Sequence, residues 1–169
     1  DMRFPAGVKV AITSEAAMPE VLHRLDPARR DAVHALKDKA AFREILRPRY
    51  PDLTFEVVAT EALPSMSLDP NASYVVKPAM GVFGAGVRTI KGDADLDALT
   101  TELVAEMRAN AAVLSDTALA TDRLIVERYI EGEEYAVDAF FDSHGVPVIT
   151  SVYAHPMPAN PAYLHMVYF

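Results

Sequence analysis

The chain has 169 residues, room for one domain or two small ones at roughly 100–200 residues per domain, and its composition of 51% hydrophobic and 24% charged residues is that of a folded globular protein. Sixteen Lys and Arg against 24 Asp and Glu give a formal charge of −8, which argues against general binding to nucleic acid or anionic lipid, so an anionic ligand must be captured locally. The absence of Cys excludes a disulfide framework and thiolate metal sites, and no stretch reads as a membrane span or signal peptide, so a cytoplasmic location is expected.

In chain order, residues 8–12 predict a first strand, close to the opening Asp1. Residues 15–25 predict a helix with apolar Val21, Leu22 and Leu25, and Asp26-Pro27 ends it and opens the next. A long helical region follows to Arg47. Its apolar residues form no single stripe, so it either breaks or is covered on more than one side. Residues 55–58 read as a short strand, and residues 64–73, rich in Pro, Ser, Asp and Asn, as turns and a connection between units.

Residues 74–76 and 87–90 are short β-branched runs around a glycine-rich loop. Asp93 and Asp95 can cap a helix on which Leu96, Leu99, Leu103 and Met107 recur at helical spacing. Three β-rich runs follow, residues 124–130, 135–141 and 146–153, separated by turns at Glu131-Gly132 and Asp142-Ser143-His144-Gly145. The mixed order with a hairpin predicts an α+β fold. Residues 163–169 look like an unfinished strand, which suggests a piece of a longer protein.

Chemistry concentrates in two segments. In the first, Lys77 closes a strand and Gly81, Gly84 and Gly86 follow; such a loop can fold N–H groups over phosphate oxygens while Lys77 supplies a point charge. The spacing is neither a Walker loop nor a dinucleotide fingerprint, and a plain glycine-rich hairpin with a lysine at its rim is the alternative. In the second, Glu127 lies in an otherwise apolar strand where a carboxylate can accept from an exocyclic amine, as a purine offers, and Glu134 opens the next strand and can accept ribose hydroxyls. The alternative is that Glu131, Glu133 and Glu134 are solvated turn residues paired with Arg128.

Together these segments resemble the ATP-grasp superfamily. Lys77-Pro78 with Gly81, Gly84 and Gly86 is similar to its mobile glycine loop, and residues 126–134 to its adenine hinge and ribose carboxylate. Upstream, residues 36–43 resemble its Asp-Lys helix, with Lys37 competing with Lys39 for the assignment and a surface lysine as the bland alternative. The resemblance implies ATP and Mg²⁺ as cofactors, with Lys39 and Lys77 on the phosphates, Glu127 on the adenine amine, backbone at Arg128 and Ile130 on the ring edge, and Glu134 on the ribose. It implies an ATP-grasp fold truncated at both ends: the end of an amino-terminal substrate domain (1–26), a central lid domain (27–130) and the start of a carboxy-terminal domain (131–169).

The implied activity is an ATP-dependent ligase joining a small-molecule carboxylate to an amine through an acylphosphate. A nucleotide-binding domain without catalysis and a kinase on the same fold are the alternatives, and a homo-oligomer stays open. No catalytic residue is assigned. After Asp142 the chain has no Asp, Glu or Arg, so metal ligands are expected outside it; the five histidines show no zinc-ligand spacing and none is assigned to a metal.

Overall fold

The computed structural model describes residues 4, 5, 8, 10, 17–81, 84–111 and 120–154. Of the strand expected at residues 8–12, Val8 and Val10 have no regular structure and the other residues lie outside the described ones, as do residues 163–169, His155 and His165. The chain divides into two compact units, Asp1–Tyr129 and Ile130–Phe169.

The first unit opens with three short helices, α1 (Met18–Arg24), α2 (Pro27–Lys37) and α3 (Lys39–Leu46). Asp26 caps α2 by accepting from the Arg29 amide at 3.0 Å, with Pro27 in the first turn where its missing N–H costs nothing. The long helical region breaks at Asp38. There the α2 helix ends on an extended residue whose carboxylate accepts from the Ala40 and Ala41 amides at 2.9 and 3.2 Å, starting α3 as a separate helix.

Four antiparallel strands follow, β1 (Phe55–Ala59), β2 (Ser73–Met80), β3 (Arg88–Lys91) and β4 (Ala120–Arg128), in the order β1-β4-β2-β3. Residues 64–73 do not join two units: they begin in a 3₁₀ helix, Thr60–Ser65, and lead from β1 to β2 of one sheet. The turn residues were legible, but Leu63, fully buried just before them, ties the segment to the core rather than to solvent. Strand β2 also runs further than its β-branched run suggests, so Lys77 lies inside the strand rather than at its end, with a register irregularity at Pro78–Met80 where proline cannot donate to the ladder.

Period-two alternation sorts the sheet into two faces. Val76, Leu124 and Val126 point to one side and pack with Leu63 and with Leu99, Leu103 and Met107 from α4 (Leu96–Ala111), the helical repeat seen in the sequence. Asp95 caps this helix through the Ala98 amide at 2.9 Å. Lys77 and Glu127 belong to the opposite face, toward α3.

The second unit contains β5 (Tyr135–Phe141) and β6 (Pro147–Ala154), an antiparallel hairpin with a register shift at Asp138/Ala139. Its turn is held by the Asp142 carboxylate, which accepts from the amides of His144 and Val146 at 2.8 and 2.9 Å, and Gly145 takes φ +75° there. Helices and antiparallel sheets in mixed order make this an α+β chain. Among the described residues no helix is long and apolar enough to cross a membrane.

Candidate functional site

Register explains why Lys77 and Glu127 meet. Glu127 on β4 faces Val75 on β2, and Lys77, two residues further along, is its diagonal neighbour on the same face. The Lys77 ammonium pairs with Glu127 Oε2, while Arg43 Nε from α3 pairs with Oε1. Glu127 is one of two buried polar residues of the described chain, at 5% exposure. Burial opposes its ionisation, but the hydrogen bonds and charges of Arg43 and Lys77 outweigh it and hold the carboxyl below the usual glutamate range.

Helix α3 delivers its basic residues at helical spacing. Lys39, Arg43 and Arg47, four apart, share one face. Lys39 Nζ donates to the Gly81 carbonyl at 3.2 Å, and the Arg47 guanidinium lies 4.3 Å from the centre of the Phe55 ring. Burial, then the charges of Lys77 and Lys37, push the Lys39 ammonium below the usual lysine range. The helix is fixed at its start by Arg123 of β4, whose Nη2 lies 2.6 Å from Asp38 Oδ2. Two cations therefore pair with one carboxylate and a third, Lys39, reaches the glycine loop beside it, a surplus suited to an anion.

The loop is held at both ends. Lys39 grips the Gly81 carbonyl, and at the far end the Gly86 amide donates to Glu106 Oε1 of α4 at 2.9 Å. Glu106 is itself held by Arg88 at 2.6 Å, and Arg88 also reaches Glu102 at 2.7 Å. Gly84 and Gly86 take φ +72° and +71°, and the Val87 amide closes a turn onto the Gly84 carbonyl at 3.1 Å. Gly86, expected to offer its N–H to phosphate, has already committed it to Glu106.

The residues expected to form a hinge fall in different units. Arg128 is exposed, its guanidinium 3.8 Å from Asp69 and its backbone N–H donating to the Thr54 carbonyl at 3.2 Å. Ile130, 67% exposed, and Glu134 belong to the second unit, just ahead of β5. Sequence reading assigned no role to Arg43 or Glu106. The signal for Arg43 was its i+4 spacing from Lys39; Glu106 had none, because its partners lie some 20 residues away in the chain.

A family profile described as "ATP-grasp domain" matches residues 71–169, more than half of the chain. The chain belongs to the ATP-grasp family. Comparison with curated proteins gives no match. The ATP-grasp match begins just before β2 and covers Lys77, the glycine loop, Glu127, Arg128, Ile130 and Glu134; Lys39 and Arg43 lie upstream of it. ATP-grasp domains generally bind ATP together with Mg²⁺. Among the described residues no group of three or more His, Cys, Asp or Glu converges to hold a metal ion. The buried carboxylate Glu127 is paired with cations, so the described residues do not fit Mg²⁺, which needs oxygen ligands.

Proposed function

We propose that this chain holds ATP within a ligase that joins a small-molecule carboxylate to an amine. The observation that carries the reading is the buried Glu127 carboxylate paired with Lys77 and Arg43, with Lys39 on the Gly81 carbonyl at the root of the glycine loop. In this reading Lys77 and Lys39 turn to the phosphates, Gly81 and Gly84 let the loop backbone approach them, and Gly86 anchors the loop. Glu127 retains unused lone pairs for the adenine amine. The Arg128 amide is spent on Thr54, so any reading of the ring edge by that residue falls to its carbonyl; the Ile130 backbone is assigned to the same edge and Glu134 to the ribose.

A carboxylate is a poor electrophile at neutral pH. Transfer of the γ-phosphoryl group to its oxygen releases ADP and leaves an acylphosphate; an amine then attacks the acyl carbon and phosphate departs. The lysines stabilise charge on the transferring group, and a closed glycine loop keeps water from the acylphosphate. Lys77→Ala is expected to weaken ATP binding by about 1.5–3 kcal/mol, the range for a charge-assisted hydrogen bond, with the Glu127 carboxylate still held by Arg43. Titration calorimetry showing equal ATP affinity for both proteins would remove Lys77 from the phosphates. ADP release against a panel of carboxylates and amines tests the ligase chemistry itself.

A further inference from the structure

Glu127 has two carboxylate oxygens and a separate cation on each: Arg43 from α3 on Oε1 and Lys77 from β2 on Oε2. Its side chain is 7% exposed, and those of Arg43 and Lys77 are 22% and 17% exposed. A single cation would balance the carboxylate. If Lys77 alone balanced it, any ligand that drew Lys77 away would strand an unpaired charge in a dry place, which is strongly unfavourable.

We propose that Arg43 is a positioning residue that keeps Glu127 paired, so that Lys77 can leave the carboxylate for a phosphate group of the ligand. The inference rests on the nucleotide reading above and adds to it a division of labour among the cations. The chemistry of the two side chains fits it. Arginine's planar fork has five donors and meets Glu127 through Nε, so it can settle more fully on the carboxylate once Oε2 is vacated. Lysine is a compact charge on a flexible stem and can swing to a new oxygen. Helix α3 is set on the sheet by Asp38 and Arg123, so Arg43 stays over Glu127 while Lys77 moves.

The test is calorimetric titration of the full chain with ATP and with inorganic tripolyphosphate. Arg43→Ala is expected to lose about tenfold or more in affinity for both, since Lys77 is then retained by the carboxylate, and Arg43→Lys to recover most of it. Combined with Glu127→Gln, Arg43→Ala should cost less than about twofold, because no carboxylate is left to trap Lys77. Should the alanine variant melt, Arg43→Gln, which keeps two of the three methylenes and an N–H donor without the charge, carries the same comparison. Unchanged affinity in Arg43→Ala, or in Arg43→Gln where that variant replaces it, would overturn the inference. So would an equal loss in the Glu127→Gln background, which would make Arg43 a direct phosphate contact. Failure of the parent chain to bind either ligand would instead overturn the nucleotide reading, and this inference with it.

Discussion

Acid should reach this protein through a few carboxylates, Glu127 foremost. Its folded pKa lies below the usual value of 4.5, so its contribution to stability is complete above that value and is lost as pH falls through the folded pKa. Asp38 and Glu106 share the sign. Burial opposes ionisation in both, while hydrogen bonds from Arg123 and the Ala41 amide to Asp38, and from the Gly86 amide and Arg88 to Glu106, lower their pKa values. Melting temperature should therefore decline below about pH 4.5, and Glu127→Gln should flatten part of that decline while lowering stability at neutral pH by about 2–3 kcal/mol. That cost is placed under the figure for a fully buried pair because both cations are partly solvated. Thermal melts across about pH 3–6 check both effects; an equal slope in the two proteins would mean that Glu127 is not the titrating group. At this scale, sequence named the charged residues but not their pairings. Glu127 stood out as acidic in an apolar strand, yet Arg43 is 84 positions away and only folding brings it there.

At the scale of elements, glycine spacing announced the loop, and the geometry shows how little freedom Gly86 has within it. Gly86 is left-handed at φ +71°, and a Cβ there would stand 2.9 Å from Pro78 Cγ. Gly86→Ala should cost about 1–3 kcal/mol in urea unfolding, from backbone strain and the clash with the proline ring. Glu106→Ala should instead leave the core packed and release the Gly86 amide. Hydrogen exchange is expected to find that amide protected in the free parent protein and fast in the variant; early exchange in both would show that Glu106 does not hold the loop. The helix break at Asp38 was half legible, since the irregular apolar pattern allowed either a break or two-sided cover. The aspartate decides for the break by capping one helix while ending the other.

Over the whole molecule, the α+β class, most strands and the amphipathic α4 were legible because alternation and helical periodicity are local. Sheet order was not. Strands β4 and β5 are consecutive in sequence but belong to separate sheets, and the turn at Glu131-Gly132 gives no local sign of that. The core cluster lies in the first unit, whereas the β5–β6 hairpin exposes Tyr135, Val137, Phe141, Ile149 and Val152, each more than half accessible. An apolar surface of this kind binds hydrophobic dyes. Phe141→Ser with Ile149→Thr should lower the dye fluorescence of the native chain while leaving the melting of the first unit unchanged. Fluorescence that does not fall would place the accessible apolar surface elsewhere.

The opposed grips on the glycine loop bear on how freely its length can vary. Surface loops commonly accept insertions because closing a slightly longer loop adds little free energy. Here a cation holds the carbonyl of Gly81 and a carboxylate holds the amide of Gly86, so the span is measured between two anchored points. A change of length between them therefore acts on two contacts, one to α3 and one to α4. The hairpin tip at Asp142–Gly145 is held only from within among the described residues, by the Asp142 carboxylate on the His144 and Val146 amides and by backbone bonds from Asp142 to Val146 and from Gly145 to Asp142, so no grip from another element fixes its length and it is the better place for chain length to change.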